Sequence, residues 1–471
     1  MLRQVASGNF VVVPADTGHD NGKDMRGTQN NTDSGFRAVI RTLGYRNFRL
    51  FFGGQGLSLI GTWMQQVAMA WLVYRLTNSP FMLGLINFSA RIPIFLASPF
   101  LGVLADRWNR HRILLFTQST SMFQALVLAL LVLSHQVQVW HLFALSLFIG
   151  IINALDIPAR QSFLVEMVER KDDLGSAIAL NSSLVNGARL IGPSVAGILI
   201  ATAGEGVCFL INGMSYVAVI TALLLMKITP RQREPRTLSI MQQFREGARY
   251  AYGFAPTRAI LLLVSLVSLL GLPYMVLMPV FARDVYQQGA HGLGFLTGAS
   301  GVGALTGALY LAGRKSVLGL GRMIVIATLL FGASLLIFSH FPFFWPALGL
   351  LSLAGFGMIV LMASANTVLQ TIVEDNKRGR LMSFYAMSFG GMVPFGSLLA
   401  GGLASTIGAR NTVLASGLVC MAAGLWFARS LPRLREMARP IYVQKGILRE
   451  VAVGIQSATE PAGQTKLNNG P

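Results

Sequence analysis

The sequence predicts an all-α membrane protein of about twelve transmembrane helices in two six-helix bundles. Three observations carry this prediction: apolar runs long enough to cross a bilayer, positive charge gathered in alternate connections, and an internal duplication. A helix rises about 1.5 Å per residue, so roughly 20 apolar residues cover a hydrocarbon core of ~30 Å. Only helices and closed barrels satisfy their backbone polar groups in lipid, and runs this long are not the alternating strands of a barrel. Hydrophobic residues make up 53% of the 471 and charged ones 12%, about half the charged share of a soluble domain. The net charge of +19 would suit a nucleic-acid binder. Here the basic residues stand in short connections between apolar runs, which is the positive-inside pattern, so the bilayer is the expected partner and nucleic acid is not.

The expected spans fall at roughly 51–74, 81–104, 113–134, 139–159, 178–203, 207–228, 259–282, 292–313, 321–340, 343–367, 382–407 and 411–429. One set of connections holds Arg107, Arg110 and Arg112, then Arg160, Arg170 and Lys171, then Arg231 to Arg249. It continues with Arg314, Lys315 and Arg322, and with Lys377, Arg378 and Arg380, whereas the opposite set holds little beyond Arg75, Arg283 and Arg410. Both termini are therefore expected in the cytoplasm of a multi-pass inner-membrane protein. The division is a polar tail (1–46), a first bundle (47–228), a linker (229–258), a second bundle (259–430) and a second tail (431–471). No cleavable signal is expected, because residues 1–35 have only the short apolar patch Phe10 to Val13; Met25 is an alternative start. In the linker, Met241 to Tyr252 has helical spacing, with Phe244, Ala248 and Ala251 on one side and Arg245 and Arg249 on the other. Such a helix either lies against anionic headgroups or stands solvated. Cys208 and Cys420 fall within spans and are expected to pack as small apolar residues.

The duplication supports the six-plus-six division. Gly192, Ala196, Gly197 and Gly204 recur at one constant offset as Gly396, Ala400, Gly401 and Gly408. Gly102-Val103-Leu104 returns as Gly307-Ala308-Leu309 at an offset one residue larger. An even number of spans separates the copies, so the halves are parallel repeats, an arrangement used by alternating-access carriers with a midplane site between the halves.

The connection after the second span reads Gly102-Val103-Leu104-Ala105-Asp106-Arg107-Trp108-Asn109-Arg110-His111-Arg112. It resembles the signature loop of the major facilitator superfamily, which implies the major facilitator fold. By that resemblance Gly102, Asp106, Arg107 and Arg110 form a cytoplasmic latch that closes in the outward-facing state; a plain stop-transfer basic cluster is the alternative. Asn109 stands where the family has a second glycine, and Leu311 stands where the second half would need its acid. In the fifth span, Gly192-Pro193-Ser194-Val195-Ala196-Gly197 is similar to the superfamily's antiporter motif. Proline with small neighbours allows a bend packed tightly on another helix, and a packing helix without a coupling role remains the other reading. Asp156-Ile157-Pro158-Ala159-Arg160-Gln161, Ala179-Leu180-Asn181-Ser182 and Arg378-Gly379-Arg380 resemble the enterobactin-exporter-like branch, the transmembrane secretion effectors. The resemblance covers about residues 46–430.

Arg91 and Arg189 each lie well inside a span. A charge at the bilayer centre costs roughly 3 kcal/mol on insertion scales, so both should face protein or water. The resemblance places Arg91, Arg189 and Asp156 around one chamber with Asn87, Gln65, Gln66 and Asn186. Two guanidinium groups would grip an anionic cargo in bidentate fashion. Alternatively Arg189 pairs with Asp156 or Glu166 and stiffens its half. Asp156, with Arg160 one turn on, is the candidate coupling acid of a proton-driven carrier. The expected function is a monomeric secondary active exporter of a small, anionic organic molecule, needing no cofactor and no metal, with the proton gradient as energy source. A multidrug carrier of neutral or cationic compounds, or a non-transporting sensor, is the alternative. An enzyme is not expected, since the chain holds no His-Glu-x-x-His, Gly-x-Ser-x-Gly or phosphate-loop motif.

Overall fold

The computed structural model describes residues 40–168, 170, 173–227, 240–314, 316–374 and 377–447, without side-chain detail at 98–100, 102–107, 240–244 and 246. Among the described residues every regular element is a helix. Six helices build the first half: α1 (Arg46–Thr77), α2 (Pro80–Arg107), α3 (Arg110–Leu133), α4 (Val139–Glu166), α5 (Leu174–Ala203) and α6 (Glu205–Leu225). The linker helix α7 (Ile240–Gly253) follows. The second half comprises α8 (Ala255–Val285), α9 (Gly289–Ala312), α10 (Leu320–His340), α11 (Phe344–Ile372), α12 (Arg378–Ile407) and α13 (Ala409–Gln444).

Among the described residues eleven helices are long and apolar enough to cross a membrane. The first expected span, α1, is the exception by composition and not by length: it runs 32 residues. Its Gln55, Ser58 and Gln65 are buried inside the bundle, so its polarity is turned away from lipid. Several helices outrun their expected ends. The last continues through Pro432 and Pro440 to Gln444, because Leu431, Leu434, Ile441 and Tyr442 pack against the second half's core. The second bundle therefore extends past the expected boundary at 430.

The duplicated glycines hold equivalent posts. Gly192 abuts Trp63 and the backbone of Ile60 and Met64 on α1, and Gly396 abuts Leu269 and Pro273 on α8. Gly197 sits where a Cβ would lie 2.8 Å from the Gly294 Cα on α9; Gly401 sits likewise 3.0 Å from the Gly84 Cα on α2. Gly204 and Gly408 end α5 and α12 with φ of +84 in both, a conformation that suits glycine because it lacks a Cβ. The two main seams between the halves, α5 on α9 and α2 on α12, are thus related by the repeat. Small residues let these backbones approach, as membrane helices without a hydrophobic driving force require.

Two helices are irregular in mid-course. α8 passes through a π turn at Val267–Gly271 and a 3₁₀ segment at Leu272–Leu277 around Pro273. α12 contains a π turn at Met387–Gly391 before Pro394. Such breaks are sustained where neighbouring helices cover the freed backbone, and they cluster at functional sites.

The linker helix does not stand alone in water. Ala251 is fully buried, Gly247 abuts the Phe384 ring and the Arg380 side chain of α12, and the Tyr250 ring carries the Lys377 ammonium at 4.9 Å. α7 is docked on the second half. The Phe244 side chain of the expected apolar face, and the linker residues 228–239, lie outside the described residues, as do most of both tails.

Candidate functional site

The halves meet at the end away from the basic loops. There Tyr74 on α1 donates to Asp284 on α8. Arg283 Nη1 donates to Asn78 at 2.6 Å while its guanidinium covers the Tyr74 ring at 5.7 Å. The Phe81 amide donates to Ser405 Oγ at 3.1 Å. Contact continues to mid-depth, where Gly301 meets Leu190 and Gly391 meets the Phe95 ring, with Phe95 edge-on to Phe395.

At this mid-depth level Arg91 and Arg189 stand within electrostatic reach of each other. Arg189 stacks on Trp63, its guanidinium carbon 5.1 Å from the ring centroid. A cation on an indole face gains about 0.5–2 kcal/mol, so Trp63 offsets part of the burial cost without neutralising the charge. Arg189 also lies within electrostatic reach of Arg91 and of the Tyr274 ring of the opposite half. Tyr274 is buried on the irregular stretch of α8, and its hydroxyl shares a 2.8 Å hydrogen bond with Ser300. Arg91 Nε donates to Asn87 Oδ1 at 3.0 Å, and the same oxygen accepts from Ser397 of α12 at 3.1 Å. Both arginines remain partly exposed, and among the described residues neither forms an ion pair with a carboxylate. The cluster is a net positive site shared by both halves.

Two other expected members of the chamber, Asp156 and Gln65, are held by partners within the first half. Asp156 is buried against α3, accepting from Thr117 Oγ1 at 2.7 Å and Gln118 Nε2 at 2.8 Å. Arg160 is its ionic partner at 3.2 Å, as the i,i+4 spacing implies. Glu166 pairs with Arg110. The reading in which Arg189 pairs with Asp156 or Glu166 is therefore replaced by the Trp63 contact: both acids are already held by arginines one turn or one helix away. Gln65 belongs to a closed network inside the first half, donating to Gln124 Oε1 at 3.1 Å and accepting from Asn212 at 2.6 Å. Buried polar groups of this kind must be paired, and three helices supply the partners. Gln66 on α1 is exposed, and Asn186 on α5 donates to the Ser182 carbonyl of its own helix at 2.9 Å.

Of the expected latch, the side chains of Gly102, Asp106 and Arg107 lie outside the described residues. Arg110 is buried and joins the start of α3 to Glu166 at the end of α4. Asn109, in the place of the family's second glycine, has φ −66 and caps α3 by accepting from the Arg112 amide. An N-capping asparagine suits that post, and no left-handed residue is required. In the antiporter-like motif, α5 runs on through Pro193, with Gly192 against α1 and Gly197 against α9.

Trp63, Tyr274, Ser300 and Ser397 were not among the expected site residues. Pro273 in mid-span was the available sign for Tyr274; the other contacts join residues remote in sequence.

The fold and this two-half site define a transporter of the major facilitator type. The chain belongs to the transmembrane secretion effector family, whose model matches residues 40–446. It is 26% identical over 395 residues to the staphyloferrin A transporter of Staphylococcus aureus (82% of this chain, 97% of that one). It is 25% identical to the multidrug efflux pump Tap of Mycolicibacterium fortuitum (79% and 92%) and 25% identical to the enterobactin exporter EntS of Escherichia coli O1:K1 (82% and 92%). In fold it is similar to a bacterial homolog of the human lysosomal transporter Spinster in an inward-facing, occupied conformation, with a TM-score of 0.62 at 15% identity over 88% of this chain and 99% of that one. The protein is a multi-pass membrane transporter and not an enzyme.

Proposed function

We propose that this protein exports a small anionic organic molecule by alternating access, binding it between the halves at Arg91 and Arg189. The observation that carries this reading is a pair of partly exposed, mid-depth guanidinium groups held by Trp63 and Asn87 and, among the described residues, left without a carboxylate. Unneutralised charge at that depth is costly, and an anionic ligand supplies the missing partner through charge-assisted, bidentate hydrogen bonds. Relatives named for staphyloferrin A and enterobactin support a siderophore-like cargo. A broader multidrug cargo is favoured by the likeness to Tap; the two arginines argue against a cationic one, since like charges repel in a low dielectric.

In this reading both termini and the basic loops are cytoplasmic, so contact at the opposite end makes the present conformation inward-facing. The energy source is the proton gradient, with Asp156 and Arg160 as the proposed coupling pair. The decisive experiment is export into everted vesicles. Arg189→Gln should lower transport of an anionic siderophore at least tenfold, the loss of a charged hydrogen bond worth about 1.5–3 kcal/mol, with an unchanged melting temperature. Undiminished export by a folded R189Q protein would remove the anion site. Undiminished export after the proton gradient is collapsed would remove the coupling.

A further inference from the structure

A second cavity, of about 510 Å³, lies away from the chamber at the basic-loop end of the second bundle. Ile260 of α8, Ile324 of α10, Ile372 of α11 and Leu431 of α13 give it an apolar interior. Arg322, Arg435 and Arg439 stand in its lining, against the single acid Glu436. None of the three arginines pairs with a carboxylate among the described residues. Arg322 occupies the first turn of α10, after Gly319 at φ +86, where the positive end of the helix disfavours a cation unless an anion is near. Depth adds a constraint. At 36 residues α13 is about 54 Å long, well beyond the ~30 Å core, so its last turns with Arg435 and Arg439 stand at headgroup level.

We propose that this cavity binds an anionic phospholipid, with the phosphate among the three arginines and an acyl chain along the apolar interior. An apolar cleft mouthed by cations at the membrane boundary matches a molecule whose charge and hydrocarbon are joined end to end. A free inorganic anion would leave the apolar interior empty, and a zwitterionic lipid would lack the net charge. The proposal rests on the chain being membrane-embedded and stands apart from cargo and direction of transport.

The test uses the full chain in mild detergent, with retained lipid counted by native mass spectrometry against phosphatidylglycerol and phosphatidylcholine of matched chains. The wild type should prefer phosphatidylglycerol by about tenfold, and the triple variant Arg322→Gln/Arg435→Gln/Arg439→Gln should lose that preference. Leu318→Trp, at an exposed lining position, should reduce retention while leaving the charges in place. Inorganic phosphate at millimolar concentration should not displace the lipid. Equal retention of both lipids by the wild type, undiminished preference in the triple variant, or full displacement by phosphate would each overturn the proposal. Should the triple variant fail to fold, Leu318→Trp carries the test alone, and unchanged retention in it counts against the site.

Discussion

At the scale of single residues, the chain separates charges that are paired from charges that are kept available. Asp173, at the start of α5 and outside the spans, is of the first kind. Arg41 donates to it at 2.8 Å and Tyr45 at 2.7 Å, and these bonds, the Arg41 one first, pull its carboxyl from an ordinary 3.8 down to about 2. A depressed folded-state value means the contribution is complete above the unfolded value and is lost as pH falls through about 2. The segment before α1 should therefore stay docked down to about pH 4 and loosen progressively towards about pH 2. Asp173→Asn should loosen it at neutral pH, read as faster proteolytic cleavage near Arg41; equal cleavage rates would refute the anchor. Arg189 is of the second kind. Lysine there should not restore export to an R189Q protein, because a point charge cannot reproduce the planar stack on Trp63 or a bidentate grip; full export by Arg189→Lys would contradict this. The depth of Arg91 and Arg189 was legible in the sequence because charge inside an apolar run stands out. Their surroundings were not, because Trp63 and Tyr274 reach Arg189 only through helix packing. For Asp156 the nearest sequence partner, Arg160, was legible, while its remaining donors, Thr117 and Gln118, come from α3 and no local pattern points to them.

At the scale of elements, glycines decide where helices touch. Gly197 and Gly294 place their Cα atoms where a Cβ would fall at 2.8 Å from backbone, so no side-chain shift relieves a substitution. Gly197→Leu should separate α5 from α9 at a cost of about 1–3 kcal/mol and favour the conformation open at the end away from the basic loops. Labelling of a cysteine placed at Ser405, beside the repeat-related α2–α12 seam at the same end, should accelerate; unchanged labelling would show that the glycine contact does not hold the end closed. Tyr74 and Asp284 close the same end by hydrogen bonding, and Tyr74→Phe should weaken it by about 1 kcal/mol, read as a smaller shift in the same labelling. The seam was half legible. Repeated glycines at a constant offset identified equivalent positions, and the packing shows why they recur, but their partners Gly84 and Gly294 lie outside the repeat strings. The linker helix was legible as a helix by its spacing. Its docking was not, since Gly247 meets Phe384 across a span of chain no local pattern encodes.

At the scale of the whole molecule, two parallel bundles touch along two repeat-related seams and enclose charge at mid-depth. This geometry suits the proposed alternating access, in which the same seams close at either end while the site stays between them. Apolar length, alternating basic loops and duplicated glycines made the six-plus-six architecture readable, because each is set by the bilayer or by the repeat. Cargo was not readable to the same degree, since it depends on what the assembled chamber presents. In the proposed mechanism the halves rock about Arg91 and Arg189, opening one end as the other closes. The most direct test is the distance between spin labels at Ser183 on α5 and Gln370 on α11, both exposed near the basic-loop end, measured by double electron–electron resonance in liposomes. A long distance is expected in the resting protein and a second, shorter population when anionic substrate and a proton gradient are supplied, with R189Q failing to respond to substrate. A single unchanged distance under conditions in which the labelled protein transports would contradict it.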